Sequence, residues 1–262
     1  MKEMLLKNVK DRMKQVSSIL VTQPYPTDPK SPYFELAKKY NLKIDFRSFI
    51  QVDRIDMKEF RKQKINPLDF SAVIFTSRNA VDHFFSICKE LKIEMPPETK
   101  YFCISEQTAN YLQKYIVVRK RKIFSGIKTA QDLLPAIKKN KDEKFLYPCS
   151  DIRKDELPAM LEENNINFTE AVMYHTVAAD LSDLADVKYD VLVFYSPSGV
   201  ASLFTNFPDF VQGATRIAAF GPTTAKAVRD AGLILDIEAP LPNAPSMTGA
   251  LEAYIRLANK IK

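Results

Sequence analysis

The feature that most constrains this chain is that it repeats itself. Residues 73–85 (VIFTSRNAVDHFF) match 191–204 (VLVFYSPSGVASLF), with Ser77 over Ser196 at an offset of 119. Residues 102–112 match 218–228 with Thr108 over Thr224, an offset of 116, and 128–137 match 245–254 with Thr129 over Ser246, an offset of 117. Upstream, 36–46 resembles 161–171 with Asn41 over Asn165, an offset of 124. Four matches in one order at nearly one offset mark a duplicated unit. Two copies are too few for a solenoid, so the duplication predicts a two-lobed protein with a cleft between the lobes.

Each copy reads as α/β. Apolar runs rich in β-branched and aromatic residues predict strands over Ile19–Thr22, Ile44–Ile50, Ala72–Thr76, Lys100–Ile104, Phe145–Tyr147, Phe168–Val177, Val191–Tyr195, Arg216–Phe220 and Leu235–Ala239. Stretches of helical period lie between them. In the clearest, Val81, Phe84, Phe85, Cys88 and Leu91 share one face at spacings of three and four. Strands alternating with helices predict parallel sheets.

Hydroxyl-rich turns join strand to helix in both copies: Thr76-Ser77-Arg78-Asn79 and Ser196-Pro197-Ser198-Gly199, then Ser105-Glu106-Gln107-Thr108 and Gly221-Pro222-Thr223-Thr224. Such residues cap helices. The same helix starts, with free N–H groups and the positive end of the dipole, also bind anions. In open α/β sheets ligands sit there, beyond the carboxyl ends of the strands. Both readings stay open for any one turn; equivalent turns in two lobes favour a multiply charged acid as ligand.

Other chemistries find no support. The chain has six glycines and no GxGxxG, phosphate loop or GxSxG motif. Cys88, Cys103 and Cys149 form no CxxC pair, and the two histidines, His83 and His175, are too few for a His-rich metal centre. His83 reads as a helix-surface residue. The net charge of +6 suits an anionic partner. The densest basic run, Arg119-Lys120-Arg121-Lys122, reads as a solvated edge, without the aromatic partners that nucleic-acid binding needs. No apolar run approaches the ~18 residues that span a bilayer, and no signal peptide is recognisable. The expectation is a cytoplasmic protein without membrane or nucleic-acid contacts.

The pieces LVTQP (20–24), FTSRNAV (75–81), LYPCSDIRKDELPAML (146–161), MYHTV (173–177), FYSPSGV (194–200) and AAFGPTTAKAV (218–228) resemble the signature stretches of uroporphyrinogen-III synthases. Their order and joint presence carry the resemblance, which covers about 18–256. It implies two flavodoxin-like lobes joined by a two-stranded ribbon, with the chain exchanged between them: 18–42 with 178–262 as one lobe, 51–167 as the other, 43–50 and 168–177 as the ribbon, and 1–17 as an extension. The duplication alone gives two lobes and not this exchange.

The implied reaction closes hydroxymethylbilane, which carries eight carboxylates, into uroporphyrinogen III without cofactor or metal. By resemblance Tyr174 is the best candidate for a catalytic acid near the departing hydroxyl; the plain reading of an ordinary tyrosine on an amphipathic strand, and a positioning role, stay open beside it. Thr22, Thr76, Ser77, Arg78, Thr108, Ser196, Ser198, Gly199, Thr223, Thr224 and Ser246 are the substrate-binding positions. The implied partners are this polycarboxylate tetrapyrrole and, in transient contact, the enzyme that supplies it. The chain departs from the family at Gln23, where an arginine is common, and at Ser105, where a glycine is expected. In 1–17, Met4, Leu5, Val9, Met13 and Val16 could form an amphipathic stripe. Two rivals remain at this level: a non-enzymatic sensor closing two lobes on a polycarboxylate, and a catalytically dead relative acting as an interaction module.

Overall fold

The structure is a computed structural model that describes residues 12–117, 120–127, 129–153, 155–184 and 188–259. Met4, Leu5 and Val9 of the expected stripe and Arg119 of the basic run lie outside the described residues. The chain forms two compact units. The first runs up to Gln51 and resumes at Val177; the second is Val52–Thr176.

The first unit is built on a parallel sheet. In chain order it contains β1 (Ser18–Val21), β2 (Lys43–Phe46), β9 (Val191–Phe194), β10 (Arg216–Phe220) and β11 (Leu235–Ala239), arranged β11-β10-β9-β1-β2. β1 lies between β2 and β9, with Ile19 opposite Ile44 on one side and opposite Val191 on the other. The N-terminal strand therefore shares its sheet with the C-terminal third of the chain. Side chains alternate between two cores, as the pleat requires. Ile19, Val21, Val191 and Val193 pack with Tyr33 and Leu36 of α1 (Pro32–Tyr40) and Leu251, Tyr254 and Ile255 of α9 (Met247–Ala258). Leu20, Leu192, Phe194 and Ile217 pack with Val200 and Leu203 of α7 (Pro197–Asn206) and Ala225 and Val228 of α8 (Pro222–Asp230). Burial on both faces is why these strands read as unbroken apolar runs.

The second unit repeats the plan with six strands: β3 (Ile50–Arg54), β4 (Ala72–Phe75), β5 (Lys100–Cys103), β6 (Ile123–Ser125), β7 (Phe145–Ser150) and β8 (Phe168–Ala178), in the order β3-β8-β7-β4-β5-β6. From β8 to β6 the pairings are parallel. α2 (Met57–Lys62) follows β3. α3 (Arg78–Leu91) and α4 (Glu106–Leu112) cover Val73, Phe75, Tyr101 and Cys103. α5 (Ala130–Lys139) and α6 (Glu156–Glu163) cover Ile74, Phe102, Phe145 and Tyr147. With β7 standing for β1 and β8 for β2, both sheets have the flavodoxin order 2-1-3-4-5.

The duplication also holds in detail. Asn41 and Asn165 both follow a helix in the left-handed conformation, at φ 52° and 54°, which asparagine tolerates better than most residues. Thr129 and Ser246 are both N-caps, of α5 and α9, and Thr108 and Thr224 are both third residues of their helices.

Three sequence expectations change. The strand expected over Ile44–Ile50 is two: 43–46 belong to the first sheet beside β1, while 50–54 lie next to β8 in the second. Residues 43–50 are thus not one ribbon strand, because the chain leaves β2 at Arg47 before it enters β3. Phe49 accepts from the Ala179 N–H and Ile55 donates to Met173, so β3 runs antiparallel to β8. β6, three residues at the sheet edge, gives too short an apolar run to be seen. Phe145–Tyr147 extends to Ser150.

Residues 12–18 are fastened to the first unit. The Arg12 guanidinium pairs with Asp236 at 2.7 and 3.0 Å and donates to the carbonyls of Gly213 and Thr215. Val16 is buried, and Tyr254 donates to the Arg12 carbonyl. Arg216, fully buried, donates to the Ala214 and Gln15 carbonyls.

Candidate active site

A doubly wound sheet opens a crevice where the strand order reverses, beyond the carboxyl ends of the two strands at that point. In the second unit these strands are β7 and β4. A cavity of about 480 Å³ lies there, lined by Thr76 and Ser77 after β4, Ser150 and Ile152 at the end of β7, Thr129 at the start of α5, and Tyr147 and Tyr174. The topology therefore explains why the Thr76-Ser77 turn and Tyr174, 97 residues apart in sequence, meet.

Tyr174 is nearly buried, at 8% exposure. It sits on β8 where the register with β7 shifts, between Cys149 and Ser150. Its hydroxyl is 3.4 Å from Ser77 Oγ. Ser77 is also the N-cap of α3 and accepts the Ala80 N–H at 3.1 Å. Burial raises the Tyr174 pKa, while the hydrogen bond to Ser77 acts in the opposite direction. The phenol is thus held in its protonated form. Burial likewise pushes Tyr147 up to about 12, against a hydrogen bond with Thr76. The face of the Tyr174 ring is covered by His83 of α3, centroids 4.9 Å apart and planes 26° apart. His83 is therefore not the surface residue that its helical position suggests.

Arg78, next to Ser77, is exposed, and its guanidinium lies over the Tyr111 ring at 5.5 Å. The Tyr111 hydroxyl donates to Asp82, which fixes this platform. At the cavity's other wall Arg153 forms a two-pronged pair with Glu170.

The neighbouring His175 points elsewhere, joining α2 to the end of β7: Nε2 lies 3.1 Å from Glu59 and Nδ1 3.0 Å from Asp151. The hydrogen bonds to Asp151 and then to Glu59 raise its pKa above the ordinary 6.5. A raised folded-state pKa stabilises the fold fully below the unfolded value and loses this contribution as pH rises through the folded value. The Tm difference between wild type and His175→Gln should therefore be largest near about pH 6 and shrink by about pH 9. A difference that grows with pH would refute the link.

In the first unit the equivalent crevice lies beyond β1 and β9. Ser196 caps α7 through the Gly199 N–H at 3.1 Å, and Ser246 caps α9 through Gly249 at 3.1 Å. Gly221 starts α8 at φ 86°, a conformation suited to glycine. Thr223 and Ser246 are exposed, and Ser196 and Ser198 are partly so. Four expected binding positions are closed to solvent. Thr22 is buried and donates to the Val193 carbonyl at 2.8 Å. Gly199 is buried beside it. Thr108 and Thr224 are 5% and 1% exposed, packed in the first turns of α4 and α8. Thr108 also lies 3.2 Å from Ser105 Oγ, and Ser105 rather than Thr108 caps α4. The expectation that the hydroxyls of Thr108 and Thr224 stand open to a ligand is thus corrected: side chains at the third helical position pack inward against the sheet.

Among the described residues no three His, Cys, Asp or Glu side chains could jointly hold a metal ion, and no helix is long and apolar enough to cross a membrane. The three cysteines are free and buried, and burial pushes their thiols up to about 11 or 12.

Comparison with known proteins decides the family. The model of the uroporphyrinogen-III synthase HemD family matches residues 32–249. The chain belongs to the uroporphyrinogen-III synthase family. It is 25% identical over 258 residues to the uroporphyrinogen-III synthase of Chlorobaculum parvum, covering 92% of this chain and 100% of the relative. It is 26% identical over 211 residues to that of Saccharomyces cerevisiae, covering 70% of this chain and 76% of the relative. Among solved structures it resembles the uroporphyrinogen-III synthetase of Helicobacter pylori, with a TM-score of 0.60, 22% identity and coverage of 92% and 99%. A uroporphyrinogen III synthase mutant from Thermus thermophilus gives 0.52, with 16% identity and coverage of 93% and 99%. Both show the α/β fold of parallel sheets. Family membership makes the chain an enzyme of the uroporphyrinogen-III synthase class.

Proposed function

We propose that this chain converts hydroxymethylbilane into uroporphyrinogen III and water, with Tyr174 as the acid at the departing hydroxyl. The observation that carries this reading is the buried, protonated Tyr174 phenol beside Ser77 at the switch-point cavity. Ser77 accepts the Ala80 N–H and keeps one proton of its own. Given to the phenol oxygen, that proton leaves the Tyr174 proton free for the substrate and stabilises the phenolate formed when it leaves.

The reaction then runs on the substrate's own electrons. Tyr174 protonates the hydroxymethyl oxygen, water departs, and the adjacent pyrrole nitrogen pushes electrons in to form an azafulvene cation. The terminal pyrrole attacks through its substituted carbon and gives a spiro intermediate. This fragments and recloses with that ring inverted, and the proton released on rearomatisation restores the phenol. The protein's main task is to fold the substrate and fix its geometry. No cofactor enters this scheme.

Carboxylate contacts fall to the groups that are open: Thr76, Ser77 and Arg78 in the second unit, and Ser196, Ser198, Thr223 and Ser246 in the first. Arg78 supplies a cation on an aromatic support. Thr22, Thr108, Gly199 and Thr224 shape the backbone beneath them. The enzyme acts in the cytoplasm, receives its substrate from the enzyme that makes it, and binds neither nucleic acid nor membrane.

The test is an isomer assay. Purified protein with hydroxymethylbilane should give the type III ring in excess over the type I ring that forms unaided. Type I alone, at the uncatalysed rate, would overturn the reading.

A further inference from the structure

The Tyr174 hydroxyl is held by few groups. Its one side-chain hydrogen-bond partner among the described residues is Ser77, at a long 3.4 Å. A bond of that length restrains direction weakly. The ring must therefore be fixed by packing: it lies at the edge of the core of its unit, and its aromatic neighbour across the ring face is His83. The hydroxyl's partner and this stacked ring come from one helix. Ser77 is the N-cap of α3 and His83 lies in its second turn. The hydroxyl and the ring face are thus referenced to the same rigid element.

His83 has no hydrogen bond of its own among the described residues to explain its place. Burial lowers its pKa, opposed by Asp82 on its own helix and assisted by Arg54 from β3. Arg54 is itself paired with Glu90. A neutral imidazole in this setting works as a flat ring with an aromatic neighbour. The equivalent position in the first unit, at the offset of 119 set by Ser77 and Ser196, is Ser202. There the side chain is fully buried and donates to the Phe49 carbonyl. The same helical position thus meets the turn between β2 and β3 in the first unit, by a hydrogen bond, and β8 in the second, by a ring.

We propose that His83 is a positioning residue for Tyr174, holding the phenol by ring stacking in the orientation from which it donates its proton. The inference rests on the acid role given to Tyr174 above. The orientation of a proton donor is worth large factors in rate, and a displacement of about an ångström can cost up to about a hundredfold.

The experiment is a double-mutant cycle on steady-state kinetics with hydroxymethylbilane, pairing His83→Ala, His83→Gln and His83→Phe with Tyr174→Phe. His83→Ala and His83→Gln should each lower kcat roughly tenfold with KM little changed. His83→Phe, which keeps a ring, should stay within about twofold of wild type. In the Tyr174→Phe background none of the three should lower kcat further, because the proton they orient is gone. His83→Gln keeps bulk and polarity, so the cycle can be completed if the alanine variant does not fold. Wild-type kcat in His83→Ala and His83→Gln, a loss in His83→Phe equal to theirs, or equal losses with and without the Tyr174 hydroxyl would each overturn the proposal. Tyr174→Phe at wild-type rate would instead end the acid role itself.

Discussion

Tyr174→Phe should slow ring closure by about 10²–10⁴-fold, the usual contribution of a positioned acid, and should leave type III as the enzymatic product. The substitution removes one oxygen and keeps a ring that is 8% exposed and stacked on His83, so the fold should survive. The hydrogen bond lost is long, at 3.4 Å, and its partner Ser77 keeps the Ala80 N–H. Little stability is therefore at stake. With the phenol acting only as the proposed acid and orientation shared among the other proposed contacts, the choice of isomer should persist. Type I should rise only as the unaided route competes with a slower enzyme. Single-turnover kinetics with isomer analysis separates the cases. A wild-type rate ends the acid role. Slow turnover with no type III moves Tyr174 from proton donation to substrate folding.

Arg12→Ala should lower the stability of the fold by about 3 kcal/mol, the lower end of the range for breaking a buried ion pair. The lower end applies because the arginine keeps 14% of its side chain in solvent, while Asp236 keeps 1%. After the change Asp236 retains the Ile217 N–H at 2.9 Å but loses its counter-charge, and the carbonyls of Gly213 and Thr215 lose a donor. An uncompensated buried carboxylate is the costly outcome, more than the lost bonds themselves. Urea unfolding should show a lower midpoint with an unchanged slope. A midpoint within error of wild type would show that residues 12–16 are not part of the stable unit.

The sequence made the strands of both units legible because most are buried on two faces and read as apolar runs. It made the duplication legible because left-handed asparagines and helix caps keep their residue types: Asn41 with Asn165, Ser77 with Ser196, Thr129 with Ser246. The break after β2 was hidden, since 44–50 mixes Ile44, Phe46, Phe49 and Ile50 with Asp45, Arg47 and Ser48 and has no glycine or proline to mark a turn. At the site, Ser77 and Tyr174 could be named from motifs, but their meeting depends on the β7–β4 pairing across the sheet. The same pairing brings in Ser150 and Arg153, whose place in the cavity no local pattern gives. His83 was unreadable for a related reason. Its helix presents Val81, Phe84 and Cys88 to the core, and nothing in that periodicity reveals a ring 91 residues further along the chain.

The histidine and serine that occupy one duplicated position show how a repeated scaffold comes to differ from itself. Ser202 spends its hydroxyl on a backbone carbonyl, whereas His83 faces a phenol. A duplication begins as two copies of one crevice, and each copy can change so long as its own sheet survives. At this position one unit carries a hydroxyl that fastens its own backbone and the other a ring that covers a tyrosine, so the two crevices surround a ligand with different chemistry although their strands follow one plan.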